Sequence, residues 1–417
     1  MFLNMMQDWA GWLLMLFSFG IVLMWKDVRS DKKLVFAIWF CIFLHHLVAF
    51  SNAYLGGVIG TEGDARTYHF FGVETAASSE PEWGFLVNPR IAYTNFLGFF
   101  YRAFGASFLL GNELSVLAFT LSCIVLARLV SLLDLGRFRI GIILFFGLMP
   151  SAVIFRSVTL RESWQALFFL LSVYWTIRLC KRPGILIFSF MLMSVFCMAL
   201  LHNGLSVYAM YFILTSVYWG TFGCKKSVRW ERPVRFLFTG LLITCVILLT
   251  QKMGLFVTVE QALEGAEDFR RHAASIHGRA TYGVMLDTSS VYGLVTTIPM
   301  IFVQYMFAPF PWHIENVKDI YALLESMLRF GLLFFAVYSW RRPLGEVRNY
   351  HGFLLMVVLG LELTWALGTL NWGTAMRHHV PGHSVIVLLG APGLILFMRN
   401  LHLGMFGCRK DNTMLPK

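Results

Sequence analysis

Charge is scarce in this sequence: Asp, Glu, Lys and Arg make up 14% of its 417 residues, against about 25% in an ordinary soluble protein. With 58% apolar residues and a mean hydropathy of +0.67, a water-soluble globule is excluded, because it could not hide that excess. Cysteine is sparse too, and badly placed for cross-linking. Cys41, Cys123, Cys197 and Cys245 fall inside apolar runs, Cys180, Cys224 and Cys408 lie beside basic connections, and no CxxC pair occurs. That pattern argues against a disulfide framework and against a cysteine zinc site. Internal repeats, low-complexity tracts and a separate soluble domain are also lacking, so residues 1–417 read as a single membrane domain.

What is abundant is apolar sequence in runs of about 17–25 residues, the length that crosses a hydrocarbon core of about 30 Å as a helix. The runs are too long and too uniformly apolar for the strands of an outer-membrane barrel. The expected fold class is all-α: a polytopic transmembrane bundle of about 11–12 spans. Spans are expected near 9–25, 34–55, 106–133, 140–155, 164–180, 184–201, 205–222, 236–250, 325–340, 351–370 and 383–398.

The formal charge of +11 does not imply nucleic acid, since the bases punctuate the apolar runs as the positive-inside rule expects of a bacterial inner-membrane protein. Cytoplasmic connections are read at KDVRSDKK (26–33), DLGRFR (134–139), RLCKRP (178–183), CKKSVRWERPVR (224–235), RRPLGEVR (341–348) and the C-terminal tail. With their helix ends they hold 22 of the 34 Lys and Arg and 6 of the 23 acids. Parity then leaves 291–310 no simple crossing of its own, unless one short span is miscounted. It ends in APFPW (308–312), where prolines stop a helix, and is read as re-entrant or broken, a form tolerated where it lines a protein cavity. The first span, followed by basic residues and without a small-residue cleavage site, reads as a retained anchor.

Charges away from the basic loops are functional candidates by default. They gather on the other side, in two long loops at 56–105 and 251–290 and two short turns, RSVTLRES (156–163) and LNWGTAMRHHVPGH (370–383). In GTEGDARTYHFF (60–71), Asp64 and Tyr68 share a helix face and His69 lies beside them. Glu62 and Asp64 form an ExD pair, suited to a general base or to a divalent cation; Thr61-x-x-Asp64 also fits a capping box. Arg156 and Arg161, with Glu162 beside them, offer guanidinium forks for phosphate, or else a snorkelling Arg156 and an Arg161–Glu162 network fixing a helix end. Arg377, His378 and His379 could bind a phosphate and protonate a leaving group. Zinc on His378, His379 and His383 is disfavoured, because neighbouring histidines point apart and no carboxylate accompanies them. Arg270, Arg271, His272, His277 and Arg279 sit on an amphipathic stretch (260–283) that could meet an anionic lipid headgroup or a sugar chain, or simply be a solvated helix. His202, ending another span, could join the site or be a satisfied polar group at a helix end. Glu362, inside an apolar span, could relay protons or pair with an Arg or Tyr from a neighbour. Trp312 and Trp372 fit an interfacial aromatic belt or a sugar-binding face.

With the Glu62-Gly63-Asp64 element in GDARTYH, the turn FRSVTLRES, APFPWHIEN (308–316) and NWGTAMRHHVP (371–381), the chain resembles the GT-C class of membrane glycosyltransferases. Within that class it is similar to bacterial O-antigen and exopolysaccharide repeat-unit polymerases. It departs from the class pattern in placing the acidic loop after the second expected span instead of the first. The resemblance implies sugar transfer from polyprenyl-phosphate or polyprenyl-pyrophosphate carriers at the periplasmic face, in the company of polysaccharide-assembly proteins. Asp64 would act as base, or as cation ligand with Glu62; Arg156, Arg161 and Arg377 would hold the phosphate, assisted by His378 or His379. Any metal would be Mg or Mn, since carboxylates suit them better than zinc, and an arginine-clamped pyrophosphate needs none. Three other functions are weighed against polymerisation. One is a single-sugar transferase using a polyprenyl-phosphate donor. Another is a flippase or transporter of lipid-linked oligosaccharides, which should place charge deep in the bilayer beside broken helices. The last is a membrane O-acyltransferase, with His202 as its catalytic candidate.

Overall fold

The structure, a computed structural model, describes residues 8–56, 62–78, 88–220, 265, 267–268, 270–271, 280–341 and 345–405. In chain order its helices are α1 (Trp9–Val22), α2 (Lys32–Tyr54), α3 (Glu62–Ala77), α4 (Pro89–Phe104), α5 (Phe108–Leu132), α6 (Arg139–Leu148), α7 (Pro150–Phe155) and α8 (Glu162–Lys181). They continue with α9 (Ile185–Ala199), α10 (Asn203–Tyr218), α11 (Val291–Phe307), α12 (Val317–Arg341), α13 (His351–Gly368), α14 (Trp372–His378) and α15 (His383–Met405). Among the described residues there is no strand, only an isolated bridge between Thr281 and Asn371. Among them, too, α2, α5, α12, α13 and α15 are long and apolar enough to cross a membrane, and α1, α9 and α11 are apolar but shorter. The expected span at 236–250, the connection 224–235, most of 251–290 and the end of the C-terminal tail lie outside the described residues.

Local chemistry sets the helix boundaries, and it explains where they differ from the apolar runs. The run 140–155 is not one span. Met149 sits at φ −54°, ψ 123° between α6 and α7, because the ring of Pro150 disfavours a helical conformation in the residue before it. The stretch 56–105 contains a helical pair. Gly72 of α3 faces Leu97 and Tyr101 of α4, while Gly98 of α4 faces Thr75 of α3, so the two backbones approach closely. Arg102 then closes α3 by donating to the carbonyls of Thr75, Ala76 and Ser78 at 3.0, 3.2 and 2.7 Å, where a cation meets the negative end of the helix dipole. Helix α12 starts at Val317, eight residues before the apolar run at 325. Asp319 Oδ2 accepts from the backbone of Glu315 and Asn316, both at 3.1 Å, so polar residues build its first turn.

Side-chain contacts define two ends of the bundle. At one, four of the basic connections meet: Arg128 pairs with Asp27 (3.3 Å), Arg139 donates to the Asp27 carbonyl (3.2 Å), and Lys181 reaches both the Leu132 carbonyl (2.6 Å) and Glu346 (3.8 Å). At the other, the bridge from Thr281 to Asn371 and the stacking of His313 on Trp372 (5.3 Å, interplanar 3°) tie both flanks of α11 to the start of α14. Residues 281 and 313 therefore meet the start of α14 at the same end of the bundle.

Helix α12 shows how the interior is built. Leu324, Met327, Phe330, Phe334 and Val337 are exposed, whereas Ala322, Glu325, Arg329, Leu332 and Ala336 are buried. An apolar face turned outward and a partly polar face turned inward suit a lipid solvent. Arg156, Arg270 and Arg329 are among the largest fully buried side chains.

Candidate functional site

Three elements far apart in sequence bring their charges together at the end of the bundle that holds α14. From α3, Asp64 presents an exposed carboxylate; from the start of α8 comes Glu162; from α14, Arg377 lies between them. Arg377 pairs with Asp64 through Nη1 and with Glu162 through Nε at 2.8 Å. The side chains are 57% (Asp64), 14% (Arg377) and 2% (Glu162) exposed. The guanidinium is thus anchored inward on a buried carboxylate and offers its outer edge to an exposed one. Burial alone would weaken its hold on its proton, but Glu162 and Asp64 outweigh it and raise the pKa. Arg161, half-buried, lies with its guanidinium 5.6 Å from the ring centre of Tyr68, which in turn meets Tyr93 edge-on at 5.0 Å.

The remaining sequence candidates divide by what they touch. His378 is beside the cluster, stacked on Trp365 at 4.1 Å, with Nδ1 2.7 Å from the Thr369 hydroxyl and His202 at 6.0 Å. Burial, then His202, Arg377 and Arg161, hold its pKa well below the ordinary histidine range. His379 points elsewhere. Its Nδ1 is 2.6 Å from Glu362 and its Nε2 3.1 Å from the Tyr305 carbonyl. The pair suits one shared proton, with a neutral Glu362 donating to Nδ1 and Nε2–H donating to the carbonyl. The partner of Glu362 is therefore a histidine, with Tyr305 of α11 also interacting with it.

Arg156 is fully buried, with Nη2 donating to the Val380 carbonyl at 2.6 Å and its plane 4.3 Å from the Phe146 ring centre. It holds the turn after α14 and does not reach Asp64. Arg270 departs furthest from a headgroup contact. It is fully buried and donates to the carbonyls of Ala366 (3.1 Å), Thr369 (3.0 Å) and Val284 (2.8 Å), because the end of α13 leaves carbonyls that need donors. Arg271 is exposed and pairs with Glu267. His69 turns away from Asp64, stacking on Phe108 at 3.7 Å with Nδ1 2.9 Å from the Tyr101 hydroxyl. Glu62 is the first residue of α3, and its side chain and Thr61 lie outside the described residues, as do His272, His277 and Arg279. His202 caps α10 by accepting from the Gly204 amide at 3.1 Å. Trp372 is buried and donates to Asp319 at 3.1 Å, while Trp312 is exposed.

Sequence reading missed a second, interior cluster. Glu325 accepts from the Ser151 amide (2.7 Å) and hydroxyl (2.6 Å), and it lies 3.4 Å from Arg329 and 3.6 Å from His383. Arg329 donates to the Met306 carbonyl at 2.8 Å. The available signal was a Glu-x-x-x-Arg pair one helical turn apart inside an apolar run. Among the described residues no three His, Cys, Asp or Glu side chains converge as a metal site; His378 and His379 point apart and His383 faces Glu325.

No protein-family model, curated protein or solved structure matches this chain.

Proposed function

We propose that the protein is a membrane glycosyltransferase that acts on sugars linked to polyprenyl phosphate or pyrophosphate, at the membrane face bearing Asp64, and joins surface-polysaccharide repeat units. One observation carries the reading: an exposed carboxylate from α3 and a half-buried, anchored guanidinium from α14 meet across 313 residues of sequence. An acceptor hydroxyl would attack the anomeric carbon of the lipid-linked sugar and pass its proton to Asp64. The bond from that carbon to the phosphate oxygen breaks, and the departing phosphate carries negative charge that Arg377 and Arg161 can hold. Glu162 keeps Arg377 in place, and a phosphate entering the cluster takes over the outer edge of the guanidinium from Asp64, freeing the carboxylate as a base. If a divalent cation serves, Mg or Mn on Asp64 and Glu62 fits the chemistry of carboxylates. The membrane would be the bacterial inner membrane, with this face toward the periplasm.

The test is the surface-polysaccharide profile of a deletion strain complemented with wild type or Asp64→Asn. Collapse of long chains to single repeat units, restored by wild type and not by Asp64→Asn, is the expected result. Full-length chains without the protein, lacking only one decorating sugar or acyl group, would instead identify a single-sugar transferase or an O-acyltransferase.

A second reading, a flippase or transporter of lipid-linked saccharides, draws on the interior charges Glu325, Arg329 and Glu362, the break at Met149–Pro150 and the excursion of 280–316. Charge deep in a bundle beside interrupted helices is the arrangement a transporter needs. Lipid-linked units trapped in the cytoplasmic leaflet of the deletion strain would favour it.

A further inference from the structure

At the end of the bundle opposite Arg377, α5, α8 and the single turn Lys26–Arg29 enclose a cleft of about 380 Å³. Its charged walls are Arg128, Arg178, Lys181, Arg182 and Asp27, four cations against one carboxylate. Tyr174 forms an aromatic wall, buried itself and accepting from Arg178 at 3.0 Å through its hydroxyl. Arg128 is held in place by Asp27 at 3.3 Å and by Trp25, whose ring centre is 4.6 Å from its guanidinium carbon. Lys181 is shared with the Leu132 carbonyl and Glu346. Arg182, just past the end of α8, is exposed.

Three features separate this cleft from a solvated basic loop. It is concave, and its volume falls within the range of small-molecule sites, about 300–1,000 Å³. Its cations come from α5, α8 and the residue just past α8, and three of them, Arg128, Arg178 and Lys181, are oriented by bonds to the surrounding chain. It also lies at the end of the bundle where the basic connections gather, and basic pockets between helices beside a membrane surface capture anionic lipids. We propose that this cleft binds the phosphate of an anionic phospholipid, with Arg178, Lys181 and Arg182 as the phosphate donors and Arg128 as the positioned back wall. The site is independent of the sugar-transfer reading.

The experiment uses the full-length protein in nanodiscs of phosphatidylcholine doped with phosphatidylglycerol, with lipid retained on the released protein read by native mass spectrometry. Phosphatidylglycerol should be retained in preference to phosphatidylcholine. Each surface cation is worth about fivefold in affinity for an anionic lipid, so Arg182→Gln should weaken retention about fivefold and Arg178→Gln with Arg182→Gln about thirtyfold. Arg182 is exposed, so its single variant carries the test even if the double variant folds poorly. Arg137→Gln, which removes a cation from the same end outside the cleft, should change nothing. Equal loss in Arg137→Gln would mean diffuse surface attraction, and unchanged retention in Arg182→Gln would remove the site; either overturns the proposal. Displacement of the lipid by millimolar inorganic phosphate would overturn it too, by giving the cleft to a soluble anion.

Discussion

Arg377 connects two carboxylates of opposite character, and its substitutions should separate their roles. Arg377→Ala leaves Glu162 buried without a partner, a loss of about 3–5 kcal/mol, and a thermal-unfolding series in detergent should show part of it regained on adding Glu162→Gln. Arg377→Lys should recover only part of the activity, since one ammonium cannot reproduce the Nε and Nη contacts to two partners. Asp64→Asn should remain folded, as the carboxylate is exposed, and should lose polymer synthesis. Because Asp64 competes with phosphate for the outer edge of Arg377, the same variant should bind inorganic pyrophosphate about two- to fivefold more tightly by calorimetry; weaker binding would mean that Asp64 helps to hold the anion. His69 supplies a pH signature. Burial lowers its pKa to about 4, below the unfolded value of about 6.5, so the unfolded chain binds the extra proton between those values. Its contribution to stability is therefore complete above about pH 6.5 and lost as pH falls toward 4. The unfolding midpoint should drop between pH 7.5 and 5, less steeply in His69→Gln. Of this residue chemistry, Asp64 and Arg377 were legible as candidates, but their pairing was not, because no local spacing relates positions so far apart. Arg270 misled for the same reason: a basic run looks solvated until the carbonyls it satisfies are known.

Helix contacts depend on small residues at a few crossings. Gly390 of α15 lies against the backbone carbonyl of Leu332 in α12, and Gly393 lies against Phe335 and Ser339. A methyl group at 390 has to push the backbones apart. Gly390→Ala should cost about 1–3 kcal/mol, whereas Gly331→Ala, on α12 with open space beside it, should be neutral or stabilise by up to about 1 kcal/mol through helix propensity. Equal unfolding midpoints for the two variants would mean that α12 and α15 are not packed this way. Apolar runs predicted most of the helices well, because length and apolarity are what a bilayer selects. They failed where short-range chemistry intervened: at Pro150, which interrupts a run, and at Asn316 and Asp319, which start α12 with polar residues.

For the molecule as a whole, the two ends are the quantity to test. Cysteines placed at Gly63 and Gly283, where a side chain meets open space, should label from one side of the membrane, and those at Gly136 and Gly184 from the other, in a chain freed of its own cysteines. Labelling of all four from one side would overturn the bundle. Gly63 and Gly283 share an end because Asp64 pairs with Arg377 and Tyr282 bonds to the Leu370 carbonyl at 2.7 Å, both close in sequence to α14.

Composition and the length of the apolar runs determined, unaided, an all-helical chain with helices long and apolar enough to cross a membrane, since burial in lipid acts on stretches of about twenty residues. Only the tertiary structure decided which charges are partners. Asp64 with Arg377 and Glu162, His379 with Glu362, and Glu325 with Ser151 and Arg329 were settled by packing, because a buried charge takes the nearest group that can satisfy it, wherever the chain has carried that group.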